Sequence, residues 1–153
     1  TGLLYLNDTY AFTVTSSRFN DTAPTNQVFT LGNDGTINAS GDRHIAYCWH
    51  SVDKYSKIGS YNGGSTNVIS TGFTPSFLMV KRSNGSAGWY IFDAARNPSN
   101  PRDLTLFANS SAAEAVEGAY YQPSFVTDGF SWPTTAGNGV NASGGEYIYI
   151  AFA

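Results

Sequence analysis

The apolar residues of this chain come in short runs, and along many of them they alternate with polar ones. Tyr10, Phe12 and Val14 share one face of an extended segment, as a period of two requires. β-Branched and aromatic side chains enrich the same runs, which favours strands. The pattern predicts strands at 3–6, 10–15, 27–31, 43–50, 54–61, 67–70, 77–82, 89–93, 104–108, 129–132 and 146–152. Asn33-Asp34-Gly35, Asn62-Gly63-Gly64, Ser83-Asn84-Gly85 and Gly137-Asn138-Gly139 separate them with residues that tolerate positive φ. Pro98 and Pro101 interrupt any regular element over 94–103. One helical signal stands out. Ser111-Ala112-Ala113-Glu114 fits a capping box, and Gly118 would end a helix of two turns at most.

An internal repeat organises these elements. Residues 37–50 read INASGDRHIAYCWH and residues 140–153 read VNASGGEYIYIAFA, a constant offset of 103. Upstream, Val28-Phe29-Thr30-Leu31 matches Gly129-Phe130-Ser131-Trp132 at an offset of 101, and Leu4-Tyr5-Leu6 lies opposite Leu104-Thr105-Leu106. Residues 2–51 therefore read as a diverged copy of 103–153, with 52–102 unrepeated. The chain reads as the end of one repeat followed by a complete one. Within 44–50, Ile45, Tyr47 and Trp49 face one way, and His44, Ala46, Cys48 and His50 face the other. Large or apolar residues on both faces predict a central strand covered on both sides. Asn-Ala-Ser-Gly before it is a turn that sets its register. The two copies of this strand are expected to lie close together, paired in one sheet. The predicted fold is all-β: a two-sheet antiparallel β-sandwich of jelly-roll type with at most one short helix, in which 1–51 and 52–153 build a single domain over 1–153.

Composition narrows the function. Only 12% of residues are charged while 15% are aromatic, and the net charge of −3 provides no basic field for nucleic acid. No apolar run reaches the ~18 residues of a membrane-spanning helix. The chain does not begin with Met, and it reads as a segment of something longer. Low charge with abundant Ser, Thr and Asn suits an extracellular or virion surface.

Candidate chemistry is sparse. His44, Cys48 and His50 share a strand face and suggest zinc, but their counterparts Tyr147, Ala151 and Ala153 could not bind it in the same way. Cys48 on a central strand reads as a small buried hydrophobe. There is no Gly-x-Ser-x-Gly elbow, and the three Glu residues mark no hydrolytic pair. Asp93, Arg96, Arg102 and Asp103 bracket the Pro-containing loop as an ion-pair cluster, with Asp93 and Asp103 as alternative calcium ligands. Tyr120, Tyr121 and Trp132 lie beside turns and are candidates for sugar stacking, against the alternative that they are core or subunit contacts. No cofactor is expected.

Several stretches resemble a known family. Tyr55-Ser-Lys-Ile-Gly-Ser-Tyr61, Thr71-Gly-Phe-Thr-Pro-Ser-Phe-Leu-Met-Val-Lys-Arg82, Trp89-Tyr-Ile-Phe-Asp-Ala-Ala-Arg96 and the closing Asn141-Ala-Ser-Gly-Gly-Glu-Tyr-Ile-Tyr-Ile-Ala-Phe152 are similar to tandem repeats in structural, tail-fibre-like proteins of marine and cyanobacterial bacteriophages. Phe19-Asn-Asp-Thr-Ala-Pro-Thr resembles the end of a preceding unit of that kind. The resemblance implies a concanavalin-like or laminin-G-like sandwich on a virion surface. It carries over no functional residues. The expected function is a non-enzymatic tail-fibre or adhesion domain that contacts host surface glycans. Its expected partners are other virion proteins, further copies of itself with a trimer favoured, and host polysaccharide, without nucleic acid or membrane insertion. A purely structural capsid-decoration or fibre-assembly module is the first alternative and a glycan depolymerase the second.

Overall fold

A computed structural model describes residues 1–135 and 137–153. The fold is all-β and antiparallel, as the period-two patterning predicts. The chain divides into two compact units. One comprises Thr1–Leu4 and Phe12–Cys48, the other Tyr5–Ala11 and Trp49–Ala153.

The first unit is sparsely structured. β1 (Gly2–Leu3) pairs with β2 (Thr13–Val14), and two single-turn helices follow, α1 (Ser16–Phe19) and α2 (Gly35–Asn38). An Arg18–Asp34 ion pair at 2.9 Å ties the helices together, and Asp34 caps α2 by accepting from the Thr36 amide. Segments 27–31 and 43–50, expected as strands, form none. Tyr10, Phe12 and Val14, expected to share one face of a strand over 10–15, are all exposed, and only Thr13–Val14 of that span is strand. The reason is a missing partner sheet: a strand holds only when a ladder and a packed face stabilise it.

The second unit supplies both. β3 (Ser56–Asn62), β5 (Phe77–Arg82), β6 (Trp89–Asp93), β7 (Leu104–Phe107), β8 (Ala115–Val116) and β11 (Glu146–Phe152) form a six-stranded sheet in the order β3-β11-β5-β6-β7-β8. β4 (Ile69–Ser70), β9 (Ser124–Val126) and β10 (Gly129–Ser131) form a three-stranded sheet in the order β4-β10-β9. Phe130 of β10 joins the sheets. Its ring makes edge contacts with Tyr61 of β3 at 5.8 Å, Tyr149 of β11 at 5.2 Å and Trp132 at 6.1 Å. Leu78, Val80, Phe92, Tyr147 and Ala151 close the core from the larger sheet. The helix expected after Ser111 is absent. β8 and a 3-10 turn at Ala119–Tyr121 occupy that region, because β7 offers Ala115 and Val116 a ladder that a two-turn helix cannot match.

The N-terminal strap Tyr5–Ala11 lies against the β5–β6 hairpin. The Trp89 indole donates to the Tyr5 carbonyl at 2.8 Å, and the Ala87 amide, Ser86 hydroxyl and Lys81 ammonium all donate to the Thr9 carbonyl. Lys81 is fully buried there, and burial holds its amine below the usual lysine range.

The repeated phrase folds into the same turn both times. Ile37 and Asn38 amides donate to the Asp34 carbonyl, and Val140 and Asn141 amides donate to the Gly137 carbonyl, at the same offset of 103. Asp42 then bonds back to Ala39 and Gly145 to Ala142. Gly41 at φ 88° and Gly144 at φ 74° take the left-handed conformation that this turn demands. Asn38 and Asn141 each anchor the turn through their side-chain amides, to the carbonyls of Gly32 and Thr134. Beyond the turn the two copies diverge. Residues 146–152 are the central strand β11, whereas 43–50 is exposed and forms no strand, so the copies are not paired: the neighbours of β11 are β3 and β5.

Phe130→Ala should destabilise the protein by about 3–5 kcal/mol in chemical denaturation, whereas Val14→Ala, at an exposed position, should change it by under about 0.5 kcal/mol.

Candidate functional site

The expected sugar-stacking residues separate in the structure. Trp132 is 1% exposed and packs edge-on against Phe92 and Phe130, so it is a core residue and offers no face to a ligand. Its indole N–H makes no well-formed hydrogen bond among the described residues. It adjoins the Tyr61 hydroxyl, which burial raises well above the usual tyrosine range. Tyr121 is half-buried and stacks on Tyr90 at 5.5 Å with ring planes 9° apart. Burial, with Tyr121 beside it, raises the Tyr90 hydroxyl as well. Tyr120 alone of the three is exposed, at 55%. It sits on the 3-10 turn that the Tyr121–Tyr90 stack holds in place.

The calcium candidates have other partners. Asp93 receives the Arg96 amide at 2.8 Å and the Arg96 guanidinium, which also pairs with Glu114. Asp103 accepts from the Asn97 side chain at 2.6 Å. Arg102 joins no carboxylate pair among the described residues. Its guanidinium lies 5.0 Å over the Phe125 ring and donates to the Asn97 carbonyl. Asn100 exchanges two hydrogen bonds with the Phe125 backbone. The 94–103 segment, with a cis Asn100–Pro101 bond, is thus held on β9 by the Asn100 amide and by Arg102 over Phe125, while the Arg96 ion pairs tie its start to Asp93 and Glu114. Among the described residues, no three His, Cys, Asp or Glu side chains converge on a site for a metal ion. His44, Cys48 and His50 are all exposed. The expectation that Cys48 is buried fails with the strand that was to bury it.

The feature that does extend across the second unit is apolar. On the face of the six-stranded sheet turned away from the core, register aligns Ile58 of β3 with Ile150 of β11, Met79 of β5 and Ile91 of β6. Ile148 and Phe152 of β11, Phe77 of β5 and Leu106 of β7 belong to the same face. All eight are half-buried, and none is closed off as the core residues are. The strap covers one end of this face, at Lys81 and Trp89. The signal was present in the sequence: 77–80 and 147–152 are apolar at successive positions, so both faces of those strands are apolar.

The Asp93 carboxyl titrates below its ordinary range. Burial opposes this, and the hydrogen bonds and charge of Arg96 outweigh it. A depressed carboxyl contributes stability above its unfolded pKa of about 3.9 and loses that contribution as pH falls through the folded value. Urea titrations between pH 6 and acid should therefore show an acid limb that Asp93→Asn flattens, with little difference between the two proteins below the folded pKa.

No curated protein and no solved structure matches this sequence. A sequence family does match, over residues 1–153, and the chain belongs to it: the family of the domain of unknown function DUF7483.

Proposed function

We propose that this chain is a non-enzymatic building module of a bacteriophage virion surface, whose main work is assembly with other virion proteins, including further copies of itself. One observation carries this reading: the apolar outer face of the six-stranded sheet, where Ile58, Met79, Ile91 and Ile150 stand in register across four adjacent strands. A contiguous apolar face of this kind marks a protein-contact surface. The low charge of the chain and the resemblance of its repeats to phage tail-fibre-like proteins support the virion location. A trimer is the expected oligomer.

Glycan contact is the second reading, and Tyr120 favours it. Its exposed ring stands on a turn fixed from below by stacked Tyr121 and Tyr90, which suits a sugar's apolar face. With Trp132 in the core, however, this is one aromatic ring rather than the cleft a strong sugar site would use.

Two lysine substitutions on the outer face, Met79→Lys and Ile91→Lys, test the assembly reading. Sedimentation of the parent protein should give an oligomer, and the double variant should run as a monomer that keeps the far-ultraviolet spectrum of strands. A parent that stays monomeric at all concentrations, or a variant that associates unchanged, would sink it. On a glycan array, Tyr120→Ala should abolish any binding the parent has; binding that survives the substitution removes Tyr120 from the second reading.

A further inference from the structure

Residues 34–42 and 137–145 form the same turn, with the same backbone bonds, the same left-handed glycine and the same asparagine anchor. Each turn then launches an apolar segment. After the second, β11 enters the slot between β3 and β5 and pairs on both edges. Tyr147 locks the turn to the strand, accepting from the Ala142 amide and donating to the Asn138 carbonyl, both at 2.9 Å. After the first turn no strand forms. As strands, the 42 residues before the segment contribute only β1 and β2, of two residues each. Residues 43–50 consequently present Ile45 at 81%, Tyr47 at 74% and Trp49 at 60% exposure. By the offset of 103 these three occupy the places of Ile148, Ile150 and Phe152, the outward row of β11.

We propose that residues 43–50 are the closing strand of a second β-sandwich, and that the partner completing it is a further copy of the unrepeated segment 52–102. That segment contains β3 and β5, the two strands that hold β11. A second copy would bracket 43–50 in the same way, with backbone ladders on both edges. The remaining strands of the sandwich would come from 1–42, where 27–31 stands in for β10 and places Phe29 where Phe130 lies. Because His44 and Ala46 replace Tyr147 and Tyr149, the new core is smaller, and the partnered unit is less stable than that of residues 52–153. Ile45, Tyr47 and Trp49 would give the second sandwich an apolar outer face of its own. The inference concerns the fold of 43–50 and stands independently of what such a face binds.

The test is a fusion in which a second copy of residues 52–102 precedes Thr1, with 1–153 left intact. Cys48 is the chain's one cysteine, and the added segment contains none, so its thiol reports on the strand directly. In the parent chain the exposed Cys48 should react readily with a thiol reagent. In the fusion the rate should fall by about tenfold or more, since a paired strand must open before it reacts. Backbone amide exchange over 43–50 should slow in parallel. Tyr47→Asp with Trp49→Asp in the fusion should restore the fast rate. A thiol as reactive in the fusion as in the parent overturns the proposal, and so does a fused segment that acquires no protected strand amides. The assembly reading is scored by association state and this one by thiol rate, so either can fail while the other stands.

Discussion

The second unit is organised around one strand that must be satisfied in four directions. β11 pairs along one edge with all seven residues of β3 and along the other with six residues of β5, from Tyr147↔Arg82 to Phe152↔Phe77. Its inner side chains Tyr147, Tyr149 and Ala151 are buried beneath the three-stranded sheet. Its outer side chains are apolar as well. With its backbone groups bonded to both neighbours, β11 can carry apolar residues at nearly every position, which an edge strand could not do without inviting aggregation. The aromatic contacts of Phe130 with Tyr61 and Tyr149 place the smaller sheet over the same strand and its neighbour. Order propagates outward from there: β5 holds β6, β6 holds β7, and the β5–β6 hairpin anchors the strap through Lys81, Ser86 and Trp89.

The turn ahead of β11 is coupled to this arrangement through close backbone approach. A side chain at Gly63 would meet the Ala142 carbonyl oxygen at 2.3 Å, so the end of β3 reaches the turn only because position 63 has none. The Gly63 amide bonds to the Gly145 carbonyl, and Asn141 accepts from Gly64 while donating to Ser65 and Thr134. Asn-Ala-Ser-Gly is thus a local instruction with a distant confirmation. In the first copy the local part is obeyed in full and the distant part has no counterpart, because His44 stands where Tyr147 would lock the turn to the strand. The pair separates two contributions that usually cannot be told apart. Short-range bonds and a left-handed glycine suffice for the turn, whereas the strand depends on neighbours contributed from elsewhere in the chain.

This division also explains what could be read from the sequence. Strands 77–82, 89–93 and 146–152 were legible to the residue, since their apolar runs are long and their partners lie in the same unit. Segments 27–31 and 43–50 carry comparable patterns and were expected to behave likewise, yet periodicity records only the propensity to pair. The same limit applies to β8 and β9, where Ala115–Val116 and Ser124–Val126 are too short to announce themselves and exist because β7 and β10 recruit them. For the candidate site, residue type left two readings open. Trp132 next to a turn reads as a platform or as a core residue, and the Trp that comes after Phe130-Ser131 continues the alternation of β10 and lies in the core. Asp93 and Asp103 read first as members of an ion-pair cluster and alternatively as calcium ligands; Asp93 does pair with the arginine three residues on, whereas an asparagine six residues back engages Asp103.

What remains at the surface of the second unit is chemically uneven, and the unevenness bears on function. Several of its loop amides are used internally: Asn84 binds Gly144 and Glu146, Asn109 receives the Trp89 amide, and Asn138 takes bonds from Arg82 and Tyr147. Such satisfied amides position loops and leave few donors directed at a ligand. The apolar groups are the ones with capacity to spare, because a sheet face of isoleucine, methionine and phenylalanine gains free energy from any complementary cover, at roughly 25 cal/mol for each Å² removed from water. A sugar would meet a poor return on that face, since its hydroxyls would lose water without finding donors. Another protein sheet would not. Satisfied loop amides beside a half-buried apolar face are therefore the physical ground for proposing protein contact ahead of glycan contact in this fold.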